Sequence, residues 1–157
     1  PAAQKQVRLI HRNARSIGNK TEQLEAVLLA YNPHVVVITE TWLHSEMCDQ
    51  DLVPPAYEMY RRDRASRGGG VAVLVKTGIT VTRLPDVEST ESICLRLSLF
   101  NKSFVLYAVY RPPNSLPDYL FNLKTHMENY SNQKLIVIGD FNLPNIDWNQ
   151  MQSTSDL

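Results

Sequence analysis

The sequence predicts a layered α/β domain, and three observations carry that prediction. A strand, a helix and a second strand open the chain. Short alternating strands fill its middle. A helix and a strongly apolar strand close it. With 157 residues, 43% hydrophobic and 20% charged, the chain is long enough for one substantial core. No repeat or low-complexity linker divides it, so residues 1–157 are expected to form a single domain.

The elements follow in order. "VRLIHRNA" (7–14) reads as a strand with a mixed face. In "KTEQLEAVLLAY" (20–31), Leu24, Val27, Leu28 and Tyr31 recur at i, i+3, i+4 and i+7, the spacing of one buried helical stripe. "HVVVIT" (34–39) is a continuous β-branched run, which suits a strand covered on both faces. Next come "YEMYRR", "VAVLVK", "ITVTRL", "SICLRLSL" and "FVLYAVY", joined by short connections. Ile93, Leu95, Leu97 and Leu99 alternate with Cys94, Arg96 and Ser98, a period of two. "LFNKS" (99–103) predicts a hairpin between two such runs. "LPDYLFNLKTHMENY" (116–130) predicts a second helix. Pro117 and Asp118 suit its first turn, and Leu120, Leu123, Met127 and Tyr130 its apolar stripe. "KLIVIGD" is expected to be the final strand, with Leu135, Ile136, Val137 and Ile138 buried.

Composition excludes several function classes. Sixteen basic and sixteen acidic residues cancel, and the pI is about 7.4, so a globally basic nucleic-acid binder is not indicated. Cys48 and Cys94 have no metal-ligand spacing and form no disulfide framework; both read as reduced thiols in a reducing compartment. No apolar stretch approaches the roughly 18–20 residues of a membrane span, and no signal-peptide core follows Pro1. The chain starts at Pro1 and ends in "STSDL", so both ends are expected to be cut from something longer.

Chemistry collects at strand ends. The first strand ends at Asn13, the second at Glu40, the central strand at Tyr110 and Arg111, and the last at Asp140 and Asn142. In α/β sheets, sites gather beyond the carboxyl ends of strands. Oxygen donors with few carboxylates and no thiolate suit Mg²⁺ or Mn²⁺. Asp140 and Asn142 are two apart, so an extended chain would point them to the same side. Gly139 permits close packing just before the carboxylate. Taken singly, each residue has an ordinary structural reading: Asn13 a turn residue, Glu40 a solvated acid or helix cap, Tyr110 a core residue with a partnered hydroxyl. Their combination is the informative feature.

The motifs "NARSIGNK" (13–20), "VVVITETWL" (35–43), "YRRDRASRGGGVAVLVK" (60–76), "YAVYRPPN" (107–114) and "VIGDFNLPNIDW" (137–148) span nearly the whole chain. In this order they resemble the endonuclease/exonuclease/phosphatase superfamily, and more closely the apurinic-type endonuclease domain of non-LTR retrotransposons. "RGGGVAVLVK" and "YRPP" favour the retrotransposon branch. The resemblance implies a two-layer α/β sandwich of mixed β-sheets flanked by helices, deoxyribonuclease-like, with C-terminal strands missing. It implies that Asn13 and Glu40 help hold the metal, with Glu40 a direct ligand. It further implies that Tyr110 hydrogen-bonds the scissile phosphate, Asp140 orients or deprotonates the attacking water, and Asn142 contacts the phosphate. The reaction would be Mg²⁺-dependent hydrolysis of a DNA phosphodiester. The nick would free a 3′-hydroxyl to prime a reverse transcriptase domain of the same polyprotein.

One departure stands out. The family pattern continues to a terminal Ser-Asp-His, and none of the four histidines, His11, His34, His44 and His126, stands in that context. "SD" at 155–156 is followed by Leu157. The chain is expected to cover about two thirds of the domain and to show weak or no activity alone.

Arg8, Arg12, Arg15 and Lys20 precede the first acid, and Arg61, Arg62, Arg64 and Arg67 surround Asp63 before Gly68, Gly69 and Gly70. Arg15, Arg61, Arg62, Arg64, Arg67 and Arg111 are candidate phosphate contacts, which need no sequence code and weaken with salt; a solvated loop is the alternative. Trp42 and Trp148 follow two site strands and offer base stacking or rim packing. The alternatives in function are a metal- or nucleic-acid-binding remnant that cannot cut, a small-molecule phosphodiesterase or phosphatase of the same superfamily, and a decayed reading frame. The expected setting is intracellular, in the nucleus when acting on chromosomal DNA, with no membrane and no obligate oligomer.

Overall fold

The computed structural model describes residues 6–147, 149–150 and 152–153. Strand β1 (Leu9–Asn13) leads through α1 (Thr21–Tyr31) to β2 (Val35–Thr39), and the two strands pair in parallel. A 3₁₀ turn (Asp49–Asp51) precedes the antiparallel hairpin of β3 (Tyr57–Arg62) and β4 (Val71–Lys76). β4 also pairs with β2, giving a first sheet ordered β1-β2-β4-β3. The second sheet is ordered β5-β6-β7-β8 and comprises β5 (Thr80–Arg83), β6 (Glu91–Leu99), β7 (Lys102–Tyr110) and β8 (Leu135–Asp140). α2 (Asp118–Glu128) is the crossover that makes β7 and β8 parallel. The hairpin predicted at 99–103 turns through Phe100 and Asn101, both at positive φ (53° and 58°), as the twist of a two-residue hairpin loop requires.

The two sheets face each other across one apolar layer. Val35, Val37, Val73 and Val75 from the first meet Ile93, Leu95, Leu106 and Ala108 from the second. The alternate residues face outward, Val36 and Ile38 beneath Leu24 and Leu28 of α1, and Val105, Tyr107 and Val109 beneath Tyr119 and Leu123 of α2. This explains the continuous apolar runs: β2 and β7 are covered on both faces. The expected mixed-sheet sandwich with flanking helices is therefore what forms. No helix among the described residues is long and apolar enough to cross a membrane.

Several local expectations change. Tyr31 is exposed, because the core under α1 ends at Leu28 and the last turn runs past it. The buried stripe of α2 begins at Tyr119 rather than Leu120. His126 lies on that stripe; its Nδ1 is 2.9 Å from the Tyr107 hydroxyl. The run 135–138 is half-buried rather than buried, with Val137 37% exposed, because β8 is an edge strand with one pairing neighbour. Nor is β8 the last strand: β9 (Ile146–Asp147) and β10 (Gln152–Ser153) form a short antiparallel pair after it. Cys48 is exposed, Cys94 is buried, and both are free thiols.

Candidate active site

Parallel pairing fixes where the strand ends go. β1 and β2 finish side by side, as do β7 and β8, where Tyr110 is in register with Asp140. The two exits meet across the sandwich. The Asn13 side-chain amide donates to Glu40 Oε1 (2.7 Å) and to Asp140 Oδ2 (3.1 Å). One amide thus ties the ends of β1, β2 and β8 together. The other Asp140 oxygen accepts the Asn142 backbone N–H at 3.2 Å.

The backbone at these exits is unusual. Glu40 and Asn142 have φ of 53° and 47°, and Arg15, Ser16 and Trp42 also have positive φ. Non-glycine residues rarely adopt this region, and such conformations gather at functional sites. Gly139, at φ 154°, passes so close to β7 that a Cβ there would collide with the Val109 carbonyl oxygen. The glycine before the carboxylate is therefore what lets β8 deliver Asp140 beside Tyr110. Asn142 corrects a simple alternation argument: the strand ends at Asp140, the chain turns, and the Asn142 amide donates to the Arg111 carbonyl oxygen at 2.8 Å.

Tyr110 is buried, and burial first, then Glu40, Glu91 and Asp140, raise its phenol pKa above the ordinary value, against an opposing effect of Arg64. It is a neutral donor at physiological pH. The Arg64 guanidinium lies 5.8 Å from the centre of the Tyr110 ring and pairs with Glu91. Glu91 Oε2 also accepts the Gly70 N–H at 2.8 Å. Two glycines of the triplet, Gly69 and Gly70, serve close packing here. A Cβ on Gly69 would collide with the Arg64 guanidinium, and one on Gly70 with the Thr41 hydroxyl.

Sequence reasoning passed over two supporting residues. Glu91 braces Arg64 and the glycine turn, and Tyr119 donates its hydroxyl to the Tyr110 carbonyl oxygen at 2.8 Å. The available clues were an acid at the head of a buried strand and an aromatic in the first turn of a helix.

The arginines divide sharply. Arg61 bonds Met47 O, His44 O, Asp49 and Asp63. Arg62 donates to Val87 O and Ser92 O, and Arg111 to the carbonyl oxygens of Phe141, Asn142 and Ser115. With Arg64 held by Glu91, these four side chains brace loops. The Arg15 and Arg67 side chains are exposed and make no hydrogen bond or ion pair to another described residue. Trp42 is exposed at the rim, and Trp148 lies outside the described residues.

The donor set fits a hard divalent cation. Glu40 and Asp140 bring two carboxylates to one amide. Among the described residues no group of three or more His, Cys, Asp and Glu gathers to hold a metal. Mg²⁺ keeps several waters and needs only one or two protein carboxylates, whereas zinc prefers nitrogen and sulfur. His11 is the histidine nearest the centre. Its Nε2 is 3.2 Å from the Thr39 hydroxyl, and it borders the same cleft as Asp140. Burial lowers its pKa, with Asp140 opposing.

Residues 10–151 match the model of the Endonuclease/Exonuclease/phosphatase family, and the chain belongs to that family. Its fold is similar to the endonuclease domain of TRAS1, a telomere-specific non-LTR retrotransposon, with TM-score 0.70 and 15% identity over 87% of this chain and 59% of that one. It is similar to an AP endonuclease from Archaeoglobus fulgidus (TM-score 0.60, 13% identity, 90% of this chain and 60% of that one). TDP2 from C. elegans gives TM-score 0.65 and 15% identity over 96% of this chain and 51% of that one. The chain therefore spans between half and three fifths of the length of these three structures. The comparison with curated proteins gave no match.

Proposed function

We propose that this chain belongs to the Mg²⁺-dependent DNA endonuclease domain of a non-LTR retrotransposon polyprotein. The observation that carries the reading is the Asn13 amide joining Glu40 to Asp140, with Tyr110 in register beside them. The fold shared with the TRAS1 endonuclease domain supports the retrotransposon assignment. Glu40 and Asn13 would hold the cation, which when bound stabilises charge on the phosphate and the leaving oxygen. The neutral Tyr110 hydroxyl donates to the scissile phosphate. Asp140, fixed by two donors, orients the attacking water and accepts its proton. The Asn142 amide, next to Asp140, contacts the phosphate as negative charge develops. The freed 3′-hydroxyl would prime the polyprotein's reverse transcriptase domain, in the nucleus.

Turnover by this chain alone is weak in this reading, because among the described residues no histidine is hydrogen-bonded to a carboxylate at the centre. Supercoiled-plasmid nicking at low salt with Mg²⁺ tests the proposal. Nicking that disappears in Asp140→Ala and with chelator is the expected result; undiminished nicking by Asp140→Ala would contradict it. A folded chain that Mg²⁺ stabilises but that does not nick would favour the metal-binding remnant.

A further inference from the structure

Pro113, Asn142, Leu143 and Pro144 form the wall between two neighbouring hollows, a near part that reaches Asp140 and a far part that reaches Phe121. The far part encloses about 440 Å³, within the size range of small-molecule sites. Among the described residues, Arg111 is the one charged residue on its wall. The guanidinium of Arg111 is committed to three backbone carbonyls. Among the described residues, no acid and no available cation therefore faces this space. A phosphate would find no counter-charge there, whereas a flat, largely apolar ring would find proline and leucine walls and an aromatic edge. Phe121 is 67% exposed, on a helix whose opposite face buries Tyr119 and Leu123. An exposed phenyl group bordering a pocket that shares a wall with the hollow at Asp140 is a ready stacking surface.

We propose that this pocket is a subsite for an unpaired nucleobase of the DNA strand whose phosphate lies at Asp140, stacked against Phe121. The proposal rests on the nuclease reading and adds a substrate class to it. A base can enter only when it is not held in a duplex stack, so the enzyme would engage DNA with unpaired bases beside the cut. Stacking uses the π-face that every base has, so this contact tolerates any sequence.

Fluorescence anisotropy tests the proposal, with Ca²⁺ replacing Mg²⁺. The probes are a single strand of about 12 nucleotides, the same backbone with every base removed, and the matched duplex. Wild type is expected to bind the strand with bases about tenfold more tightly than the base-free strand. Phe121→Ala should lose most of that preference. Leu29→Ala removes an equally exposed side chain from α1 (77% exposed) and should keep it. Equal discrimination by wild type and Phe121→Ala would overturn the subsite while leaving DNA binding intact. Tighter binding of the duplex than of the single strand would also overturn it. Binding to none of the three probes would overturn the nuclease reading together with the subsite.

Discussion

β7 and β8 are parallel neighbours of similar composition, "FVLYAVY" beside "LIVIGD", and they deliver Tyr110 and Asp140 in register. Their environments differ. β7 pairs on both sides and is buried from 104 to 110. β8 pairs on one side, and every residue of it keeps some solvent contact. Apolar sequence thus records that a strand can be buried, while its neighbours decide whether it is. One candidate site residue, Tyr110, stands on a buried central strand, and the other, Asp140, on an edge strand. The second is held by backbone proximity at Gly139 and by two hydrogen bonds, since β8 lacks the burial that holds β7.

The strongest way to break this comparison is at the point where the strands touch. Gly139→Ala places a methyl group against the β7 backbone and should cost about 4 kcal/mol or more, read by urea unfolding. Gly78→Ala, at φ 90° but with open space around it, should cost only about 1–2 kcal/mol. Next, equivalent truncations should separate the strands. Leu106→Ala in β7 should cost about 2–5 kcal/mol and Val137→Ala in β8 less than about 1 kcal/mol.

The arginines sharpen the same contrast between committed and available groups. Arg62→Ala leaves two carbonyls without their donor and should cost about 1–3 kcal/mol, with little change in the salt dependence of DNA binding. Arg67→Ala should change stability by less than about 0.5 kcal/mol and lower the salt slope of DNA binding by about one. A pH-dependent effect, silent near neutrality, lies in the outer core of the second sheet. Burial pushes the Cys94 thiol from 9.0 up to about 11, so the unfolded chain loses that proton first as pH rises. Its contribution to stability is complete below pH 9.0 and fades as pH climbs toward 11. Cys94→Ala should flatten that alkaline limb of the stability curve.

Much of this architecture is legible in the sequence. Continuous β-branched runs and period-two alternation locate the strands, and the polar residues that end them locate the site. What escapes is whatever depends on distant partners. Arg62 and Arg111 look like phosphate contacts until residues 25 to 31 positions away take their guanidiniums. Val137 looks buried until the sheet order leaves it at an edge. The αL turn at Glu40 has no signature in residue type, because glutamate is not among the residues that favour that region, whereas Asn142 is of a type that does.

The most direct test of the central claim, that β1, β2 and β8 end in one cation site, is thermal unfolding across a Mg²⁺ titration. Wild type should gain stability with Mg²⁺ as a ligand of the folded state requires, Glu40→Gln should lose that gain, and Arg67→Ala should retain it. A Mg²⁺-dependent rise in Tm as large in Glu40→Gln as in wild type would contradict the account.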